Sequence, residues 1–423
     1  MAGNETQVVG AELERVLPKV PVLFDRDDTF YSTIEKRPVE VISARDMRIP
    51  LEISPNSKFG YVDIDGGDLG RGDIPVFDKG IINTVNMAQK VEFTAKTNWA
   101  TDTNRKAVLQ AFRYSLSVSM KEFRRNVDSQ CMQDGTGLLG TITTISTSGG
   151  TDTYTMTTDG FRARLIRKGQ NINVFNAALT TCRTAGGPNN EPVVTFYDLA
   201  NSTISVSPSV PGVTAGDLII SSGLQSTPPI GLLGVEYHDN NASTGTWLGF
   251  NRATTPEIRA NNVNANSGAL TLPLPRLAIN KIGDRVGMDT KRRCTAWTHP
   301  AQQQAYEELG FNVTRIDKQA KEEGLDLYFN DNMQIAGAPL KTSYSWNRTR
   351  IDFIDQDVWG RAEMHPPGFY QNPDDGRKVF EIRGPSGGVA TAWIFYIIAS
   401  FNLFMNQPAG ASYISSLVVP SGY

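Results

Sequence analysis

A chain of 423 residues, 39% hydrophobic and 20% charged, is long enough for two or three domains with a sizeable core. Its 41 basic and 44 acidic residues leave a formal charge of −3, which excludes a global field drawing the protein onto nucleic acid or an anionic membrane; any nucleic-acid contact has to be local. Cys131, Cys182 and Cys294 stand 51 and 112 residues apart with no C-x-x-C pair, which indicates neither a disulfide framework nor a cysteine zinc site and fits reduced thiols.

The opening MAGNETQVVGAELE has neither the basic nor the apolar segment of a secretory signal, so export is not expected. Residues 1–43 carry eight acidic and five basic residues, a short helical pattern from Ala11 to Leu17, and Pro18, Pro21 and Pro38. Such a segment gains little from local burial and reads as an N-terminal arm that needs another surface to be ordered. Over 44–100 the apolar residues alternate, with Tyr61, Val62 and Ile64, then Ile74, Val76 and Phe77, then Val85, Met87, Val91 and Phe93. Gly66, Gly67, Gly70 and Gly72 punctuate them, which predicts an extended β-hairpin loop. A two-stranded ribbon is marginal in water, so this one is expected to lie on a neighbour.

Asp102 to Asp134 predicts the longest helix. Val108, Phe112, Leu116, Met120, Phe123, Val127 and Cys131 recur at spacings of 4, 4, 4, 3, 4 and 4, which keeps them on one stripe. Asp102 or Thr103 can cap its start and Gly135 can stop it, giving a strut of roughly 45–50 Å. Arg105, Lys106, Arg113, Lys121, Arg124 and Arg125 outnumber Asp102, Glu122 and Asp128 on it. That excess is either an ordinary solvated face or one that meets phosphate backbone non-specifically.

Thr141 to Asp159, rich in Thr, Ser and Gly, reads as a linker or an exposed hairpin. Short strands at 171–175, 193–197, 203–206 and 217–220 then predict a small barrel or sandwich. Toward the end, strands are expected at 293–298, 333–336, 351–355 and 379–382, with a helix from Pro300 to Leu309 stopped by Gly310. The uncharged run Thr391 to Met405 is too short for a comfortable membrane span and rich in β-branched and aromatic residues. It reads as a buried, central strand.

Catalytic patterns are weak. Gly135-Thr136-Gly137-Leu138-Leu139-Gly140 matches G-x-G-x-x-G but follows a helix, where the dinucleotide fold requires a strand. Asp63, Asp65 and Asp68 lack the glutamate of a calcium loop, since Ile74 holds the twelfth position. Arg71-Gly72-Asp73 reads as a loop tip. His238, His299 and His365 are isolated, with His299 placed as a helix-start residue, and Glu322-Glu323 and Asp374-Asp375 read as solvated surface. No enzyme activity, metal or cofactor is expected.

The order of parts, with Val91 to Ala100 running into the helix, Gln133 to Gly137 after it, Pro229-Ile230-Gly231-Leu232-Leu233-Gly234, and Thr298-His299-Pro300 at a helix start, resembles the major capsid proteins of tailed bacteriophages, the Hong Kong 97 fold. The resemblance implies an α+β subunit with an N-terminal arm at 1–43 and an extended loop at 44–100. A peripheral domain with the spine helix would occupy 101–159, a β-barrel-like insertion 160–232, and an axial domain plus returning peripheral strands 233–423. It implies pentamers and hexamers tiling an icosahedral shell around double-stranded DNA, assembled in the host bacterial cytoplasm, with a separate scaffold, a portal and possible decoration proteins as partners. The six helix cations above would then face the shell interior or neighbouring subunits. Lys58, Lys79, Lys90 and Lys96 have no identifiable crosslinking partner. A nanocompartment shell of the encapsulin kind, or a β-rich tail-associated or carbohydrate-binding protein, is the alternative.

Overall fold

The computed structural model describes residues 29–37, 40–41, 46–54, 58–59, 61, 65, 72, 74–94, 105–157, 165–184, 190–314, 333–372, 376, 378–383 and 389–421, of which 40–41, 46, 93–94, 105–117, 310–314, 383 and 389–391 are described in backbone only. Most of the expected N-terminal arm, the glycine reversals at 66–71, and Arg71, Asp73, Glu322, Glu323, Asp374 and Asp375 lie outside them. The chain forms two compact units.

One unit comprises 1–32, 84–128 and 363–401. Its helix belongs to Arg105–Cys131, about 40 Å long at 1.5 Å per residue. Phe30 and Tyr31 donate their backbone N–H groups to Asp128 Oδ1 at 2.8 and 2.6 Å, and the Tyr31 ring meets Phe401 at 5.6 Å. The apolar run near the C-terminus is the strand Val389–Met405, paired with Val85–Thr94, Trp359–Phe369 and Phe380–Arg383 and therefore central in its sheet. Phe395, Ile397, Ala399 and Phe401 are buried in alternation, as one face of a strand requires. No described helix is long and apolar enough to cross a membrane.

That pairing corrects the single hairpin expected over 44–100. The hairpin is Asp46–Ser54 against Val76–Asn83, whereas Val85–Thr94 runs antiparallel to Ala392–Phe401 in another sheet. Alternation identified the strand but says nothing of its partner, which lies about 300 residues away in sequence.

The other unit comprises 33–83, 129–362 and 402–423. It holds the ribbon, a barrel and a mixed sheet. The Thr-rich segment is a hairpin, Leu138–Ser148 with Thr151–Met156, and it is built into the insertion across the boundary expected at 160. The strand order is Ile172–Phe175, Leu218–Ser221, Leu138–Ser148, Thr151–Met156, Thr203–Ser207, Val193–Asp198. Asn171 bridges Val193, and the Ile172 and Val194 amides bond to Pro192 O and Gln170 O at 3.1 and 3.0 Å, which closes the barrel. Leu139, Ile142, Tyr154, Ile172, Val194, Ile204 and Ile219 fill it. Glu191 fastens the exit, accepting from Asn173 Nδ2 and Gly223 N, both at 2.8 Å, and from Ser222 Oγ.

Entry and exit of the barrel touch, with Ser221 N donating to Gly137 O at 3.0 Å. Replacing 138–221 by a short Gly-Ser connector should therefore leave the rest of the chain folded, and a 137–224 fragment should unfold cooperatively on its own. Circular dichroism and urea titration of both pieces check this; a fragment without a cooperative transition rejects it.

The mixed sheet has the order Asn261–Asn264, Ser412–Ser415, Ile351–Ile354, Thr295–Thr298, Ala338–Thr342, Gln334–Ile335. Helices Pro273–Val286 and Pro300–Thr314 accompany it, and Val263, Ile279, Ile282, Ala296, Phe353 and Ile414 share its core. His299 starts the second helix as expected, its Nδ1 accepting from Ala301 N at 3.0 Å. The helix then runs through Gly310 to Thr314, because an isolated glycine weakens a helix by only about 1 kcal/mol and does not end it.

Candidate assembly surface

The helix cations were the sequence's candidate contacts, and the fold separates them. Lys121 and Arg124, three apart, are exposed on one face. Arg125 is 3% exposed and donates from Nη1 to Asn126 Oδ1 at 3.2 Å, so it cannot be left to a shell interior. The reason is local: Phe123, Val127, Asp128, Ser129 and Cys131 are buried as well, and the last turns are covered around most of their circumference. The side chains of Arg105, Lys106 and Arg113 lie outside the described residues.

The ribbon offers a different surface. Its base is anchored, since Met47, Ile49 and Ile82 pack with Trp247, Leu248 and Phe250, and Ile81 N donates to Leu248 O at 2.9 Å. The hairpin therefore has a core at its root within its own chain, where a ribbon lying only on a neighbour was expected. Away from the root the apolar side chains are bare: Phe59 is 88%, Tyr61 99%, Ile74 78% and Phe77 66% exposed. Aromatic residues gathered without cover on one projection mark an interaction surface.

The helix end and the segment 229–234 meet. Gly231 N donates to Gly135 O at 2.7 Å, and Gly135 and Gly137 have φ of +92° and +71°. The G-x-G-x-x-G string is thus a helix stop whose turn is occupied by the chain itself. A Cβ on Gly234 would lie 2.4 Å from the carbonyl oxygens of both Cys131 and Gln133.

Sequence reading missed a buried charge centre. Arg350 donates from Nε to Asp352 Oδ1 and from Nη2 to the Asp239 carbonyl oxygen, both at 2.6 Å, and its guanidinium lies 3.9 Å from the Tyr413 ring centroid. Trp346 Nε1 donates to Asp352 Oδ2 at 2.7 Å, and Asn347 Nδ2 to Glu236 Oε1 at 2.9 Å. Burial opposes the charge on Arg350, but Asp352, Asp239 and Glu236 outweigh it and raise its pKa further. Desolvation holds the Glu236 carboxyl above the usual carboxylate range despite Arg350. The available signal was Arg350-Ile351-Asp352, two opposite charges at i and i+2 and so on one face of an otherwise apolar strand.

The histidines stay apart. His238 accepts from Trp247 Nε1 through Nδ1 at 3.0 Å, which leaves Nε2–H to donate to Leu403 O at 3.2 Å; burial pushes its pKa down to about 3 and keeps it neutral. Among the described residues no group of three His, Cys, Asp or Glu side chains could hold a metal ion.

No family model and no curated protein matches the sequence. Among solved structures, the chain is similar to a chain of the cyanophage A-1(L) capsid asymmetric unit, with a TM-score of 0.58 over 95% of this chain and 96% of that one at 10% identity. It also aligns with the capsid of an empty GTA particle (TM-score 0.46, 10% identity, 95% and 96% covered) and with the holo-SrpI encapsulin complex from Synechococcus elongatus PCC 7942 (TM-score 0.41, 10% identity, 98% and 97% covered). The chain has the α+β fold of a phage capsid subunit, the Hong Kong 97-type fold that its sequence resembles.

Proposed function

We propose that this protein is the major capsid protein of a tailed bacteriophage, a structural subunit that assembles into the pentamers and hexamers of an icosahedral shell around double-stranded DNA. The observation that carries the reading is the agreement with the cyanophage capsid chain over nearly the full length of both proteins. The ribbon supports it physically. Its uncovered Phe59, Tyr61, Ile74 and Phe77 suit a subunit that acquires burial from a second copy, and head-to-tail contacts of that kind close into rings. In this reading the ribbon is the extended loop, the closed barrel is the insertion, and the mixed sheet is the axial domain. Lys121 and Arg124 are exposed helix cations that would meet packaged DNA without sequence preference. A scaffold, a portal and decoration proteins would be further partners, and assembly would take place in the host cytoplasm.

Sedimentation and electron microscopy, with and without co-expressed phage assembly proteins, test the reading: rings or shells are expected, and a stable monomer under every condition overturns it. A ribbon deletion sharpens the test. Ser54 and Val76 are paired across the hairpin, so removing 55–75 and closing the gap with a Gly-rich turn leaves the anchored root intact. The subunit should fold with an unchanged circular dichroism spectrum and form no particles. Normal particles would remove the ribbon from assembly.

A further inference from the structure

Asp239 follows the helical turn Val235–His238, is 0% exposed, and lies 3.6 Å through Oδ2 from Arg350 Nη2. Neither of its carboxylate oxygens has a hydrogen-bond donor among the described residues. The donors nearby are directed elsewhere: Arg350 Nε and Trp346 Nε1 bond to the two oxygens of Asp352, and Arg350 Nη2 bonds to the Asp239 carbonyl and stays beyond hydrogen-bond length of the carboxylate. An ionised, donorless carboxylate at this depth would be strongly destabilising. A carboxylic acid at the same place has a partner, since the Asp352 carboxylate lies within hydrogen-bonding reach as an acceptor.

We propose that Asp239 is a carboxylic acid at neutral pH, donating its proton to Asp352, and that this shared proton is a pH-sensitive latch between the 235–239 turn and the strand Ile351–Ile354. Full burial with no donor at hydrogen-bond length leads there, and the surroundings agree: desolvation first, then the Asp352 charge, hold the Asp239 carboxyl well above the ordinary range against the pull of Arg350. The other titratable groups facing the centre are Glu236, Tyr413 and Cys294, each displaced toward its neutral form. A cavity of about 610 Å³ lined by Arg350, Glu236, Asn347 and Ser415 lies beside the centre.

The sign follows from linkage. The folded chain keeps a proton that the unfolded chain, with an ordinary Asp value of about 3.9, has released. Stability is therefore fullest near that value and falls as pH rises through the raised folded value, by up to about tenfold in the folding constant per pH unit.

Thermal unfolding of the full chain at about pH 5, 7 and 9, for the wild type, Asp239→Asn and Asp239→Ala, tests this. An amide supplies a neutral donor to Asp352, so Asp239→Asn should melt close to the wild type at low pH and lack its alkaline decline, while Asp239→Ala should melt lower throughout. Within the titration window the wild-type Tm should fall by about 1.5–2 °C per pH unit relative to Asp239→Asn. Parallel pH profiles, or an Asp239→Asn protein as damaged at low pH as Asp239→Ala, overturn the proposal. If Asp239→Asn does not fold, infrared spectra of Glu236→Gln decide instead: a protonated-carboxyl C=O band should persist at neutral pH and vanish on alkalinisation, and its absence at neutral pH overturns the proposal.

Discussion

Gly234→Ala is expected to destabilise the protein by about 3 kcal/mol or more, read by urea unfolding and by loss of soluble protein. The added Cβ would sit 2.4 Å from the carbonyl oxygens of Cys131 and Gln133 and 2.7 Å from the Cys131 carbonyl carbon. These are backbone atoms at a helix end, so no rotamer change relieves the contact. Gly234 has an ordinary φ of −98°, and what forbids a side chain is close approach alone. The segment cannot retreat easily either, because Gly231 N is held by Gly135 O at 2.7 Å and Leu233 N by Asn402 Oδ1 at 2.9 Å, while Asn402 Nδ2 is tied to Asn83 O at 2.7 Å. Gly245→Ala is the control. Gly245 has a φ of +89°, and a methyl group there would meet nothing within 4 Å, so it should lose only about 1–2 kcal/mol through backbone strain. Equal losses at the two sites would reject close packing at Gly234 as the cause.

This junction also indicates what was legible in the sequence. Gln133 to Gly137 and Pro229 to Gly234 stood out as separate strings, and the fold brings them together as the two sides of one contact. Periodicity found the spine helix, short strand runs found four of the barrel strands, and composition found the central strand, because each of these patterns is local. They fail where pairing is long-range. Val85–Thr94 has the alternation of a hairpin strand yet pairs with Ala392–Phe401, and the hairpin within Leu138–Met156, one of the two readings offered for that segment, also pairs with Leu218–Ser221 and Thr203–Ser207 and so joins the barrel. Threonine is why that segment stayed open between linker and hairpin, since it is β-branched and favours strands as readily as it fills loops. The helix cations show the same limit: Arg125 is indistinguishable by charge from Arg124, and only the covering of the helix end separates a buried guanidinium from an exposed one. The charge centre was harder still, because Glu236 and Asp239 reach Arg350 and Asp352 across more than a hundred residues.

Arg350→Met should have the second large effect, a loss of about 3–5 kcal/mol at neutral pH in denaturant unfolding. Methionine fills much of the same volume, so the loss is one of charge and donors rather than of packing. Asp352 would keep only the Trp346 donor on Oδ2, its Oδ1 would lose the 2.6 Å bond from Nε, and the Asp239 carbonyl would lose the bond from Nη2. Arg350→Lys should recover little, because one ammonium cannot serve Asp352 and the Asp239 carbonyl in the fork geometry while also holding the cation 3.9 Å from the Tyr413 ring centroid. The decisive comparison is the double variant Arg350→Met with Asp352→Asn. Removing the stranded charge should restore more than about 1 kcal/mol relative to Arg350→Met alone, a coupling that independent sites do not show. An Arg350→Met protein within about 1 kcal/mol of the wild type would mean that the buried carboxyls hold protons enough to do without the cation, which places the stability of this centre in its protonation rather than in its ion pair.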